Sequence, residues 1–155
     1  MIFRIGFLLR VVPEPAAIQK LKAELSFAET PAPEIFHDGD YYFNTAVFYQ
    51  QSRDWTNALS NYAKAAKMDA GNADIYNNMG LIYKELGQYD KAAEEFMKTV
   101  FLDTNYAKAY NNIGVVYYIQ KKYRGAIQNY RKAIDINNNN LEALNNLAIA
   151  YKALN

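Results

Sequence analysis

The sequence predicts an all-α solenoid built from helical hairpins, and three observations predict it. Asparagine recurs at Asn44, Asn78, Asn112 and Asn146, one every 34 residues, inside a repeating pattern of aromatic, small and aliphatic residues. Periods of that length belong to helix-turn-helix units, which stack because one hairpin cannot bury its apolar face alone. Each half of the period spaces its apolar residues as one stripe of an α-helix, with neighbours three, four and seven positions apart. Small residues also recur at matching places in the two halves, where helix backbones must approach closely.

Residues 1–38 precede the repeats. The first twelve, Met1 to Val12, are apolar but interrupted by Arg4 and Arg10, and fall well short of the roughly 20 apolar residues a spanning helix needs. They also make a poor signal peptide, since the apolar stretch is short and no small-x-small cleavage site follows. After Pro13 and Pro15, the spacing of Ile18, Leu21, Leu25 and Ala28 predicts an extra N-terminal helix over about residues 16–28. The stretch Thr30 to Glu34, with Pro31 and Pro33, reads as a stiff linker. Three uses of this region stay open: a helix capping the first repeat, an apolar tail lying in a groove, or the remnant of a membrane anchor. The expected location is cytoplasmic, with membrane association through the apolar N-terminus as the alternative.

The repeat array is expected over residues 39–155, as units 39–72, 73–106 and 107–140 and a half-unit 141–155. The first helices carry Tyr42, Thr45, Ala46 and Tyr49, then Tyr76, Met79, Gly80 and Tyr83, then Tyr110, Ile113, Gly114 and Tyr117, and last Leu144, Leu147, Ala148 and Tyr151. The second helices repeat Trp55, Tyr89 and Tyr123, then Ala58, Ala92 and Ala126, then Tyr62, Phe96 and Tyr130. Ala46, Gly80, Gly114 and Ala148 are expected to face the alanines of the second helices, so that a leucine at Gly80 would overpack the hairpin. Turns are placed at Ser52 to Asp54, at Leu86 to Gln88, and between units at Ala70 to Asn72 and Asn137 to Asn140.

Composition narrows the function classes. The chain of 155 residues is 51% hydrophobic and 15% aromatic, enough to bury a continuous core as one elongated array. A net charge of +1 provides no steering toward nucleic acid or an anionic membrane. The basic group Lys121, Lys122, Arg124, Arg131 and Lys132 sits in one unit only, whereas a nucleic-acid backbone calls for repeated cations. Absence of cysteine excludes disulfides, thiolate metal sites and a thiol nucleophile. His37 stands alone in a linker, and no phosphate loop, nucleophile elbow, HExxH or EF-hand spacing occurs. No enzyme, metal, cofactor or small-molecule substrate is expected.

This pattern resembles the tetratricopeptide repeat family, with its large aromatic, hydrophobe, small residue and tyrosine on the first helix and its alanine and aromatic on the second. The match covers about three quarters of the chain and recurs three times in one register. Departures are Arg53 and Lys121 where Gly87 shows the turn glycine, and Ala70, Thr104 and Asn138 where the family has a closing proline. The resemblance implies a right-handed solenoid whose first helices line a concave groove. Carried over by position, the groove residues are Asn44, Val47, Asn77, Asn78, Leu81, Lys84, Lys108, Asn111, Asn112, Val115, Tyr118, Asn145, Asn146 and Ile149. The asparagines are similar to the ladder of superhelical members, including the protein O-linked N-acetylglucosamine transferases. A carboxamide has both donors and an acceptor, so a row of them can read a peptide backbone. Asparagine costs about 0.5 kcal/mol in a helix relative to alanine, and three units carry it in adjacent pairs.

Members that bind acidic chaperone tails use a clamp of lysines, asparagines and an arginine. Asn78 and Lys108 match it, but Phe43, Val47 and Asn112 stand where it needs Lys, Asn and Arg. The row Val47, Leu81, Val115 and Ile149 makes the groove drier and favours an extended or partly apolar peptide of a partner protein. Two alternatives remain: end-to-end homo-oligomers through Leu144, Ala148 and Tyr151 of the final helix, and a substrate-recruiting arm of a larger enzyme or complex.

Overall fold

The computed structural model describes residues 38–154, and the expectations for residues 1–37, including the apolar start, the extra N-terminal helix, the linker and His37, lie outside them. Seven helices follow in order: α1 Gly39–Gln51, α2 Trp55–Met68, α3 Ala73–Glu85, α4 Tyr89–Leu102, α5 Ala107–Ile119, α6 Tyr123–Ile136 and α7 Leu141–Leu154. No strand occurs among the described residues. Helices pair as α1/α2, α3/α4 and α5/α6, each pair packs on the next, and α7 packs on α5 and α6. The architecture is an all-α solenoid. Among the described residues no helix is long and apolar enough to cross a membrane.

The three hairpin turns share one backbone. At the first, Arg53 N donates to Gln50 O and Asp54 N to Tyr49 O, and the same two bonds recur around Gly87 and around Lys121. This double bond closes a helix through a residue in the left-handed region. Arg53, Gly87 and Lys121 have φ of 59°, 70° and 60°. Only Gly87 adopts that conformation freely; a side chain there costs about 1–2 kcal/mol.

A different device shapes the links between hairpins. Oδ1 of Asp69, Asp103 and Asn137 accepts from the backbone N–H two residues on, at 3.1, 2.9 and 3.2 Å. Such side-chain turns stop a helix by offering the chain an alternative hydrogen bond, which explains how the family's closing proline can be absent. Capping is uneven: Asp38, Asp54, Asn72 and Asn140 accept from the first turn of their helices, whereas Gln88, Tyr106 and Lys122 do not cap through their side chains.

Packing inside the hairpins differs from the sequence reading in one respect. A Cβ built on Gly80 would lie 2.6 Å from the Phe96 ring, and one on Gly114 would lie 2.5 Å from Tyr130. The ring of the second helix, rather than its alanine, makes the small residue necessary. A second stripe, not evident from the repeat signature, seals one hairpin to the next: Ile75, Ala109 and Ala143, with Ile82, Val116 and Ala150, are all buried. In α1 the same register positions hold Tyr41 and Phe48, both exposed. Core clusters therefore straddle hairpin boundaries, Ile75 and Ile82 packing with Ala46, Ala58, Tyr62 and Ala65. This is how a repeat array obtains a continuous core.

Candidate functional site

The first helices of successive hairpins are neighbours, α3 against α5 and α5 against α7. The face they share carries two hollows. The larger, about 620 Å³, is lined by Asn77, Asn78, Leu81, Lys108, Asn111 and Asn112 from α3 and α5, by Tyr106 and Ala107, and by Asn137, Asn139, Asn140, Leu141 and Glu142. The smaller, about 400 Å³, is lined by Val47, Gln50, Gln51, Arg53, Trp55 and Asn78. Asn78 belongs to both.

The structure brings Asn77, Asn78, Leu81, Lys108, Asn111 and Asn112 together, with Val47 in the adjoining hollow. Asn44 is exposed at the α1 end, and Lys84 is half-buried on α3. Val115 and Tyr118 pack against the buried Ala126, Ile127, Tyr130 and Ala150, and the Tyr118 ring lies tilted to Tyr123 with centroids 5.3 Å apart. On α7, Asn145 and Ile149 are exposed and Asn146 is half-buried. Sequence reasoning passed over Tyr106 and the turn Asn137 to Asn140 as groove residues. The signal was present, because the inter-hairpin turn repeats in register too, but attention to helix stripes assigned it only a connecting role.

Hydrogen bonding differentiates the asparagines. Asn112 Nδ2 donates to Asn77 Oδ1 at 3.4 Å, and Asn146 Nδ2 donates to Asn111 Oδ1 at 3.1 Å. The acceptors are buried, Asn77 at 7% exposure and Asn111 at 3%. Each ladder amide thus reaches back to the preceding hairpin and ties the two together. Asn78 has no such partner, because Phe43 occupies that slot. Its side chain instead lies by the Tyr62 phenol, whose hydroxyl donates to Gln50 Oε1 at 2.6 Å. Burial pushes Tyr62 up to about 12, and the nearby Asn78 carboxamide pulls in the opposite direction.

Further ties stiffen the same face. Tyr106 OH donates to Asp74 Oδ1 at 2.6 Å, joining α3 to the start of the third hairpin. Burial, with Asp74 adding to it, raises the Tyr106 phenol. Charge in the larger hollow is one cation, Lys108, and one anion, Glu142. Among the described residues no cluster of His, Cys, Asp or Glu is arranged to hold a metal ion. What the face can do chemically is offer carboxamide donors and acceptors beside apolar patches at Leu81 and Leu141.

Comparison with known proteins agrees with this architecture. Tetratricopeptide repeat models match residues 107–140 and 61–94, and a TPR repeat model matches 80–120. No curated protein sequence is significantly similar to the chain. Among solved structures, the first TPR of Spaghetti (RPAP3) bound to the HSP90 peptide SRMEEVD has a TM-score of 0.73 at 24% identity, over 76% of this chain and 93% of that one. The Arabidopsis OM64 TPR domain has a TM-score of 0.70 at 22% identity, over 74% and 94%. The Sgt2 TPR domain from Aspergillus fumigatus has a TM-score of 0.70 at 23% identity, over 80% and 81%. With the 34-residue period, the glycine-ring packing and the stacked hairpins already established, these matches identify the chain as a member of the tetratricopeptide repeat family.

Proposed function

We propose that the chain is a protein-interaction scaffold that holds an extended, partly apolar peptide segment of a partner protein along the face formed by α1, α3, α5 and α7. The observation that carries this reading is the larger hollow, open and lined by carboxamides with Leu81 and Leu141 beside them. Carboxamides pair with peptide groups in either sense, and apolar side chains of the segment settle beside the leucines. A few such contacts at about 0.5–1.5 kcal/mol each, with apolar burial and the cost of ordering the segment, correspond to affinity on the order of micromolar. A structural neighbour, the first TPR of Spaghetti (RPAP3), is bound to the HSP90 peptide SRMEEVD, which supports this reading. The single lysine of this hollow supports a less acidic one here.

The test compares the wild type with the double variant Asn78→Ala, Asn112→Ala in affinity capture, with melting temperature measured alongside. Asn112→Ala also removes the bond to the buried Asn77, so a lower melting temperature is expected with it. Loss of captured partners while the variant stays folded at the assay temperature is the expected result, and unchanged capture would sink the groove reading. A second reading, self-assembly, rests on Leu144 and Tyr151, which are 40% and 38% exposed on α7 beside exposed Ala148. Sedimentation over a concentration series distinguishes the two, because a strict monomer at high concentration eliminates self-assembly.

A further inference from the structure

We propose that Asn77 and Asn111 are positioning residues that set the orientation of the ladder carboxamides of Asn112 and Asn146, an inference that rests on the groove reading above. A free asparagine amide can turn end for end about its last bond and present oxygen or nitrogen to a ligand with nearly the same shape. Here each ladder amide faces a buried carbonyl oxygen from the preceding hairpin: Asn77 Oδ1 at 3.4 Å from Asn112 Nδ2, and Asn111 Oδ1 at 3.1 Å from Asn146 Nδ2. Turning the ladder amide over by itself would set two oxygens against each other in a largely buried place, so its orientation follows that of the buried partner. One N–H is therefore committed inward. Oδ1 and the second N–H remain, and these are the two groups that a peptide bond's N–H and C=O require.

Pre-orientation favours binding because the side chain has less freedom to lose when the segment arrives. Asn77 and Asn111 also line the larger hollow, nearly buried, and the Asn112 and Asn146 signals report their action through the neighbouring amide rather than through direct contact with the segment. The first junction provides an internal control. Phe43 occupies the corresponding slot and offers Asn78 no acceptor. Changes at Asn77 should thus reach Asn112, changes at Asn111 should reach Asn146, and neither should reach Asn78.

The experiment uses the full chain, labelled with nitrogen-15, and reads the side-chain carboxamide signals. Asn77→Leu should move the Asn112 amide proton upfield and speed its exchange, while Asn78 and Asn146 stay put. Asn77→Asp, which keeps an acceptor oxygen, should restore the Asn112 signal. Binding is then measured with synthetic heptapeptides taken from a random phage-displayed library selected on the wild type. The Asn77→Leu, Asn111→Leu pair should weaken them by about tenfold, and the Asp pair by about twofold or less. Equal binding to wild type and the Leu pair would overturn the positioning role while leaving the groove reading intact. Failure of the wild type to enrich any peptide, or enrichment of peptides indifferent to Asn78→Ala and Asn112→Ala, overturns both. Should the Leu pair lose its helical circular dichroism, the single variants decide the matter, and an unmoved Asn112 signal in Asn77→Leu overturns the proposal.

Discussion

Where the first hairpin meets the second, Phe43 fills the slot that Asn77 and Asn111 hold at the next two junctions. The Phe43 ring lies edge-on to Tyr62 with centroids 5.7 Å apart, and the Tyr62 hydroxyl donates back to Gln50 within the first hairpin. At the later junctions an amide bonds an amide. The difference carries through to the surface. Val47 and Trp55 line the smaller hollow beside the aromatic junction, whereas seven asparagines line the larger one. A ladder that is uniform in spacing is therefore not uniform in chemistry: the smaller hollow mixes Val47 and Trp55 with Gln50, Gln51, Arg53 and Asn78, whereas asparagines dominate the larger one.

The largest expected effect probes what the junctions share. Gly114→Leu should destabilise by about 3 kcal/mol in urea unfolding, because its first side-chain atom already meets the Tyr130 ring. The first hairpin accepts Ala46 in the matching place, buried in one cluster with Tyr62, so the fold can accommodate a methyl group there. Gly80→Ala should accordingly cost about 1–2 kcal/mol, less than the leucine but measurable. A neutral Gly114→Leu would mean that the ring contact does not set the helix spacing.

Converting one junction into the other comes next. Phe43→Asn should cost about 1–2 kcal/mol through lost burial, since the ring is only partly enclosed. In the same variant the Asn78 amide should leave Tyr62 and bond the new acceptor, visible as a shifted carboxamide signal. An unmoved Asn78 would show that Tyr62, not the slot, determines its partner.

Alkaline pH separates the junctions in another way. The Tyr62 phenol is raised from its ordinary 10.0 to about 12, so the fold favours its neutral form. Its contribution to stability is complete below pH 10 and disappears as pH rises toward about 12, because the unfolded chain releases that proton first. Burial raises Tyr106 and Tyr130 in the same sense. Melting temperature of the wild type should therefore fall through this range, and Tyr62→Phe should make the fall shallower. An identical fall in both proteins would remove Tyr62 from the account.

The smallest effect lies in the turns. Arg53→Gly and Lys121→Gly should each stabilise by about 0.5 kcal/mol, the relief of a left-handed side chain outweighing the entropy of a looser unfolded chain. Gly87→Ala should change stability in the opposite direction by a similar amount. Chemical denaturation of the three variants checks the ordering.

Much of the fold was legible because helix stripes and the 34-residue period are local properties. Tyr76, Gly80 and Ala92 announce a hairpin wherever they recur, since each hairpin solves the same packing problem. The buried seal at Ile75, Ala109 and Ala143 was harder to see: those side chains vary in size, and only stacking shows that they face a neighbour. The candidate site was legible as a list of positions and not as an arrangement. Asn77 and Asn78 look alike in the chain, yet Asn77 is buried, lines only the larger hollow and accepts from the next hairpin, whereas Asn78 lines both hollows. Asn137 to Asn140 read as a connector, and only the packing of the hairpins makes Asn137, Asn139 and Asn140 part of the larger hollow.

By itself the sequence determined the repeat, the helical hairpins and the face on which the asparagines recur, because periodicity is written in residues a few positions apart. The tertiary structure alone decided what each asparagine bonds. Its partners lie 35 residues away, and a directional bond of about 3 Å depends on how two hairpins are set against each other, which spacing along a chain does not specify.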